Sequence, residues 1–518
     1  MTIKSPGLIH GYGNSKLLFL RIGAVLLTAA TFPLMSAPIS LWPLHWVAWI
    51  PFLWAIHAQE GKGKIWIAYI SGTTAHTLIF YWIPNLISNF TNISRPVSII
   101  LFFALCSYLS LQWILFAALI PKLRRRFPRG WIFLSPAFVV TLEFLMPQLF
   151  RYMQGVSHYQ VIPIIQISSI TGIYGVSYLL FWTNCFIFDA GSRFRVRDKF
   201  RWIAFLVLVS VVGLVVVYGL LRQQQYKLLS SHSHKLKVGL VQSNITPEGY
   251  MKTGFNQAHS ILLGLSQEAV KKGAQWVIWS EGEFKPLLSL PYSKLILLRD
   301  SRLLQRPILL GTVDFRHEKG KKLYMNSAIH VDHSTGFGKR YDKQILVPFG
   351  EYMPFEKQLN FIYRLINWKS RLSPGKDSVV QSLEGIPYAF LICYEAIYPS
   401  LARKAVRKGA QILINITYDG WFGRTSAPYQ PLKLAAIRSA ETGVPLIRLG
   451  TTGISTSVDA LGRMQALSPL YQRRVLLHTV NLIQLPSLYM RIGDVFAWLC
   501  VGTILAAIVF MWFKRSSF

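Results

Sequence analysis

The sequence predicts two fold classes in one chain: an α-helical membrane domain of eight spans and a soluble α/β domain. Three observations predict them. Of 518 residues, 52% are hydrophobic and only 15% charged, well below the ~25% charged residues of soluble domains. The apolar residues gather into eight runs, each close to the ~20 residues that a bilayer crossing requires. Between the seventh and eighth runs the pattern changes to short apolar segments alternating with amphipathic ones, which is how strands and helices alternate in an α/β sandwich. The chain thus divides into a membrane domain at 1–221, a soluble domain at 222–494, and a last span and tail at 495–518.

The seven leading runs lie at 17–36, 39–57, 65–88, 97–120, 131–149, 161–189 and 202–221, and the eighth at 495–513. No small-residue cleavage site leads from the first run into a soluble chain, so it is expected to be a retained span. Charge then sets the orientation. With 55 Lys+Arg against 22 Asp+Glu the net charge is +33. Such an excess can signal nucleic acid, but here the basic residues cluster between apolar runs, which excludes that partner. Lys4 and Lys16, Lys62 and Lys64, the 122–129 cluster, Arg193 to Arg201, and Lys514 with Arg515 occupy one alternating set of loops. The opposite loops hold only Arg95 and Arg151. The positive-inside rule places both termini in the cytoplasm and the 222–494 domain outside. Within the spans, Glu143 is the exception at the outer end of the fifth, whereas a transporter more often shows several buried acids or paired broken helices. The polar, aromatic loop at 151–160 reads as an interfacial anchor.

Residues 222–235 form a polar connector; its His232 and His234 lack further ligands, which argues for a linker over a metal site. Strands are expected at 238–243, 276–280, 307–313 and 326–331, with a helix at 259–272. After the turn at 333–338 and the segment RYDKQILVPFGEYMPF (340–355) come a strand at 388–392, a helix at 399–408 and a strand at 412–416. A helix at 431–442 and strands near 445–450, 454–460 and 475–481 close the domain.

The stretch YAFLICYEAIYP (388–399) delivers Cys393 to the end of a buried strand, the edge where open α/β sheets place reactive groups. Cys106, Cys185 and Cys500 all lie in apolar runs, so Cys393 has no disulfide partner in the soluble part. A nucleophilic thiol needs a base to take its proton and a cation to stabilise the thiolate and the oxyanion. Glu281, at the end of WVIWS, and Lys343, in the 340–355 loop, supply both without a histidine.

The order Glu, Lys, Cys in WSEGEF, YDKQILVPFGEY and LICYEAIYP resembles the nitrilase (carbon-nitrogen hydrolase) superfamily. With its membrane runs, nearly the whole chain is similar to the bacterial apolipoprotein N-acyltransferases, most specifically in YDKQILVPFGEYMPFE, ICYE and DGWFG. The resemblance implies a nitrilase-like αββα sandwich and transfer of a fatty acyl chain from a phospholipid to the N-terminal amine of a diacylglyceryl-cysteine prolipoprotein. By the same resemblance Glu281 is the general base, Lys343 the oxyanion lysine and Cys393 the nucleophile. Glu351 and Glu395 match further essential acids, Tyr394 the neighbour of the nucleophile, Asn326 the asparagine of a YN-type stretch, and Trp421 the tryptophan of the DxWFG loop.

The implied scheme is ping-pong. Glu281 deprotonates Cys393, the thiolate attacks the ester at sn-1, and Lys343 holds the oxyanion. A lysophospholipid leaves, and the prolipoprotein amine takes the acyl group from the thioester. No metal or nucleotide cofactor is required. The expected setting is a bacterial inner membrane with the catalytic domain in the periplasm, and the expected state a monomer. Phe349, Tyr352, Phe355 and Trp421 are candidates for keeping water from the thioester. The chain departs from the family at Gly282, Glu283, Tyr418 and Pro431. These departures leave open another amine acceptor. The same triad with water as acceptor describes a membrane-tethered amidase, against which eight spans count; a non-enzymatic membrane receptor or transporter with a degenerate domain is a third reading, against which the intact Glu–Lys–Cys set counts.

Overall fold

The computed structural model describes residues 14–57, 61–91, 93–192, 199–356, 358 and 372–514. Lys4, Arg193, Arg195, Arg197 and Arg515, which carry part of the charge alternation, lie outside the described residues. Among the described residues three helical stretches are long and apolar enough to cross a membrane: Arg95–Arg126, Lys199–Ser230 and Val495–Phe513. A bent pair, Ile162–Thr171 and Tyr174–Ser192, makes a fourth if counted as one span, with an angle of 117° at the break. Asn14–Met35 and Trp131–Leu145 are further apolar helices.

Three runs expected to be single spans are broken, 39–57, 65–88 and 161–189, and proline explains where in the first two. The 39–57 run divides into a 3-10 turn, Trp42–Trp46, and a helix, Ile50–His57. Pro43 and Pro51 sit in the first turn of each, where a missing N–H costs nothing and a new helix is favoured over continuation. The 65–88 run breaks into Gly63–Ile79 and Ile83–Thr91, with Pro84 again in the first turn. At the sharp bend the cause is Gly172, at φ +65°. A Cβ there would come within 2.8 Å of the Tyr489 ring, so only glycine fits both the backbone and the space.

The 222–235 connector is corrected as well: Lys199–Ser230 is one continuous helix of 32 residues. Arg222 is buried and its Nε donates to Gln166 Oε1 at 3.2 Å, while Tyr226 packs with Leu461, Ile483 and Leu485 of the soluble half. Burial of these two residues carries the helix through a polar sequence. The 151–160 loop also turns inward rather than lying at an interface. Gln154 N–H donates to buried Glu143 at 2.9 Å, and Trp49 Nε1 donates to Gln154 Oε1 at 2.7 Å.

The soluble half contains twelve described strands: β1 Lys235–Gln242, β2 Trp276–Trp279, β3 Ile308–Glu318, β4 Lys321–Asp332, β5 Gly336–Phe337 and β6 Tyr341–Asp342. The rest are β7 Val380–Leu383, β8 Ile386–Ile392, β9 Ile412–Thr417, β10 Leu446–Gly450, β11 Thr456–Val458 and β12 Arg474–Asn481. One sheet runs β12-β1-β2-β3-β4-β5 with β6 paired to β4, and the other β11-β10-β9-β8-β7. The strand alternation is literal in β8. Tyr388, Phe390 and Ile392 enter the core between the sheets with Trp276, Ile278 and Leu309, while Ala389 and Leu391 face the helices Pro399–Arg407 and Tyr429–Thr442. Helices Pro247–Lys271 and Pro291–Leu304 cover the other sheet. The layers are therefore αββα. Pro291–Leu304 was not expected from the sequence, and β3–β4 is a longer hairpin than expected. Its two-residue loop, Lys319–Gly320, has both φ values positive, as a tight hairpin turn requires.

The two halves share one apolar core. Tyr394, Ile397, Leu434 and Ile437 of the sandwich pack into the cluster that holds Trp82, Ile173 and Tyr174 of the helical half. Glu441 Oε1 accepts from Ile173 N–H at 3.0 Å across this seam.

Replacing Gly172 by Ala is expected to destabilise the protein by ~1–3 kcal/mol, from the left-handed backbone and the crowding against Tyr489. Thermal unfolding of the purified variant reads it; an unchanged midpoint would refute the steric account.

Candidate active site

The inward side chains of β8 hold the sandwich together up to Ile392, and the next residue emerges at its edge. Cys393 opens a 3-10 turn, Cys393–Ile397, with φ +51°. A non-glycine residue there stores ~1–3 kcal/mol of strain, which the surroundings must override. Asn415 of β9 does so from beneath, donating to Leu391 O at 2.9 Å and Cys393 O at 3.2 Å. Arg448 of β10 fixes Asn415 in turn at 2.6 Å and pairs with Asp419 at 3.0 Å, both charges being buried.

Glu281 follows β2 and Lys343 follows β6. Lys343 is 1% exposed; its Nζ lies 2.8 Å from Glu351 Oε1 and 3.6 Å from Glu281 Oε1. Asn326 of β4 bridges the two acids, donating from Nδ2 to Glu281 at 2.7 Å and to Glu351 at 3.0 Å. The second oxygens are held by backbone: Tyr418 N–H donates to Glu281 Oε2 at 2.7 Å and Val347 N–H to Glu351 Oε2 at 2.8 Å. Four of the expected residues thus form one network.

Glu395 stands one step behind. It accepts from Gln344 N–H at 2.6 Å, Ile345 N–H at 3.2 Å, Ile392 N–H at 2.7 Å and Tyr341 OH at 2.8 Å. It therefore ties the loop carrying Lys343 to the strand carrying Cys393. Tyr394 turns away from the network and donates to Leu149 O in the helical half. Trp421 packs edge-on against Tyr418 at 5.3 Å and lines the cavity beside Cys393.

Electrostatics follow from this packing. Burial pushes the Cys393 thiol up to about 12; Glu281 raises it further and Lys343 opposes both. At neutral pH the resting group is the thiol. Burial works against the charge on Lys343, but Glu351 and Glu281 outweigh it and hold the amine above the usual lysine range. Burial also raises Glu395, against the pull of its N–H donors. A protonated thiol beside a carboxylate and a permanent ammonium is set for proton removal at the moment of attack and for charge stabilisation immediately after it.

The cavity at Cys393 has a volume of about 60 Å³ and draws its walls from both halves, including Trp82 and Phe150 from the helices and Tyr418, Trp421 and Phe422 from the sandwich. Of the expected screen, Phe349, Tyr352 and Phe355 do not line this cavity, and all three are exposed, Phe355 to 72%. Trp421 alone of that group lines the cavity. Sequence reasoning missed Trp82 and Phe150 because, inside or at the end of an apolar run, they are indistinguishable from other bilayer-facing aromatics.

The departures near the base have local explanations. Gly282 sits at φ +61°, where glycine is free of strain. Glu283 is buried, accepts from Ser243 Oγ, and accepts Ser280 N–H at 3.0 Å, so it fixes the turn that presents Glu281. Tyr418 contributes its backbone N–H, which any residue there other than proline supplies.

Residues 237–487 match the carbon-nitrogen hydrolase family, which defines the class of the sandwich domain. Solved structures resembling it include an amidase from Nesterenkonia sp. (19% identity, TM-score 0.36, covering 51% of this chain and 94% of that one). A carbon-nitrogen hydrolase from Helicobacter pylori is another (19%, TM-score 0.37, covering 48% and 90%). Residues 24–186 match the apolipoprotein N-acyltransferase N-terminal domain. An apolipoprotein N-acyltransferase of Geobacter metallireducens is 32% identical over 510 residues, 95% of this chain and 94% of that one. One of Vibrio cholerae is 27% identical over 508 residues, 94% and 95%. The chain belongs to the apolipoprotein N-acyltransferase family.

Two substitutions should move the thiol in opposite directions. Glu281→Gln removes a charge that raises Cys393 and is expected to shift the pH midpoint of its alkylation by iodoacetamide downward. Lys343→Met removes the charge that lowers it and should shift that midpoint upward, while costing ~3–5 kcal/mol of stability by leaving two buried acids uncompensated. Shifts of the same sign in both variants would overturn this electrostatic account.

Burial pushes Glu283 up to about 7. A raised carboxyl stabilises the fold fully below its unfolded value near 4.5 and loses that contribution as pH rises through about 7. Glu283→Gln should therefore flatten the fall in unfolding temperature between pH 5 and pH 8. Parallel curves for variant and wild type would contradict it.

Proposed function

We propose that this protein transfers a fatty acyl chain from a membrane phospholipid to the N-terminal amine of S-diacylglyceryl-cysteine on prolipoproteins, through a thioester on Cys393. The observation that carries the reading is the joint wall at Cys393: a cavity that holds the thiol, on which the charges of Glu281 and Lys343 act, lies between the sandwich and aromatic residues of the helical half. A soluble amide hydrolase has no need of such a wall, whereas a lipid ester reaches it from the bilayer.

In the first half-reaction Glu281 takes the thiol proton and Cys393 sulfur attacks the ester carbonyl at sn-1. Lys343 stabilises the oxyanion, and Glu351 and Asn326 fix Lys343 and Glu281. The C–O bond then breaks and the lysophospholipid alkoxide leaves with the proton from Glu281. In the second, the prolipoprotein amine attacks the thioester, passes a proton to Glu281, and the C–S bond breaks to return the thiol. Trp82, Phe150 and Trp421 keep water from the thioester. No cofactor enters either step.

Eight crossings are part of the proposal: the broken stretches 39–57, 65–88 and 161–189 and the shorter apolar helices Asn14–Met35 and Trp131–Leu145 are counted as spans beside the three helices that are long enough alone. Both termini are then cytoplasmic, and the sandwich faces the periplasm of a bacterial inner membrane. The domains divide at 221/222 and 494/495, and the protein works as a monomer.

Intact-mass measurement after exposure to phospholipid tests the reading. Wild type should gain one hydroxylamine-labile acyl chain, Cys393→Ala none, and a diacylglyceryl-cysteine peptide should discharge it. Glu281→Gln should slow acylation by ~10²–10⁴ and Lys343→Met by ~10²–10³. Discharge to water in preference to the peptide would make the protein an amidase-like hydrolase. Absence of any adduct would sink the acyl-donor step.

A further inference from the structure

A second cavity, of about 40 Å³, lies beside the one at Cys393, and the two share Arg151, Gln430 and Leu434 in their walls. The second is further lined by Lys433, Ser36 and Tyr152, and no Asp or Glu lines it. Lys433 is unusual. It sits on the helix Tyr429–Thr442, is 5% exposed, and among the described residues ion-pairs with no carboxylate. Its Nζ lies 4.7 Å from the centre of the Tyr159 ring. Arg151 is placed similarly, its guanidinium 5.3 Å over the Tyr398 ring.

Burying a cation costs several kcal/mol unless an opposite charge offsets it. A lysine that covers apolar surface normally keeps its ammonium in water, and 5% exposure does not allow that. Burial alone pushes Lys433 down to about 7, and an anion in the cavity would restore its charge. The space holds more than one water-sized group, and both cations that border it are left over by the chemistry at Cys393.

We propose that Lys433 and Arg151 bind the phosphate of the acyl donor and so register its ester against Cys393. The assignment rests on the acyl-donor reading above. In a glycerophospholipid only the three-carbon glycerol separates the phosphate from the sn-1 ester. Adjoining cavities, one cationic and one holding the nucleophile, match that spacing. Recognition through the phosphate makes the site indifferent to whatever lies beyond it in the headgroup.

The test compares acyl-enzyme formation from a phosphatidyl donor and from a diacylglycerol carrying the same chains and no phosphate. Lys433→Met should lower the ratio of the two kcat/KM values by ~10–100-fold, mainly through KM for the phosphatidyl donor. Lys433→Arg should restore most of it, and Arg151→Gln should act in the same direction as Lys433→Met. An unchanged ratio in Lys433→Met overturns the proposal, as does an equal loss for both donors in folded variants. If inorganic phosphate protects wild type against thermal unfolding while the ratio is unmoved by Lys433→Met, the ligand is free phosphate and the donor assignment fails. If wild type forms no acyl-enzyme from either donor, the acyl-donor reading fails separately. Thermal protection by a short-chain phosphatidyl lipid over its diacylglycerol, lost in Lys433→Met, still reads the phosphate site, and equal protection by both refutes it.

Discussion

The site depends on one buried interaction: the ammonium of Lys343 held between Glu351 and Glu281. An unpaired lysine at 1% exposure would give up its proton; two acids keep it charged. The same contact confines the acids, which would otherwise repel each other, and Asn326 completes the arrangement by donating to both. Three separate segments, after β2, after β6 and at 351, are thereby drawn to the end of β8. Glu395 then joins the loop of Lys343 to the strand of Cys393 by three backbone N–H donors. The strained φ of Cys393 is tolerated because its neighbours are fixed from so many sides.

The separation of roles among the acids follows from what each oxygen touches. Glu351 has one oxygen on Lys343 and Asn326 and the other on Val347 N–H, so it is fully committed to holding the cation. Glu395 is fully committed to backbone and Tyr341. Glu281 lies farther from the ammonium than Glu351 does, 3.6 Å against 2.8 Å, and its charge acts on the Cys393 thiol.

Much of this was legible in the sequence because strands impose a strict alternation. The order Tyr388, Phe390, Ile392 against Ala389, Leu391 announces a strand between two layers, and its register places Cys393 at the edge. Glu281 and Cys393 were readable because each comes at the end of an apolar strand, whereas Lys343, in a loop after the two-residue β6, was picked out by its place in the motif YDKQILVPFGEY. The helical half was less legible. Hydropathy registers an apolar run but not its continuity, so the breaks before Pro43, Pro51 and Pro84 and the bend at Gly172 are lost. Polarity misled at 222–235, where buried Arg222 and Tyr226 extend a helix. The walls beside the cysteine were only partly legible for a related reason: Trp421 lies in a recognisable motif, whereas Trp82 and Phe150 approach only through packing of the two halves.

The shared wall also has a consequence for how the protein was assembled. A hydrolase that gains a membrane anchor keeps its own active site intact, and the anchor can drift freely in sequence. Here the cysteine's surroundings are completed by residues of the other half, and Tyr394, next in the chain, is bonded to Leu149 there. Neither half can be exchanged for a homologous one without re-cutting the surface of its mate. The two must change in concert, as the subunits of an obligate heterodimer do, although they are encoded in a single chain.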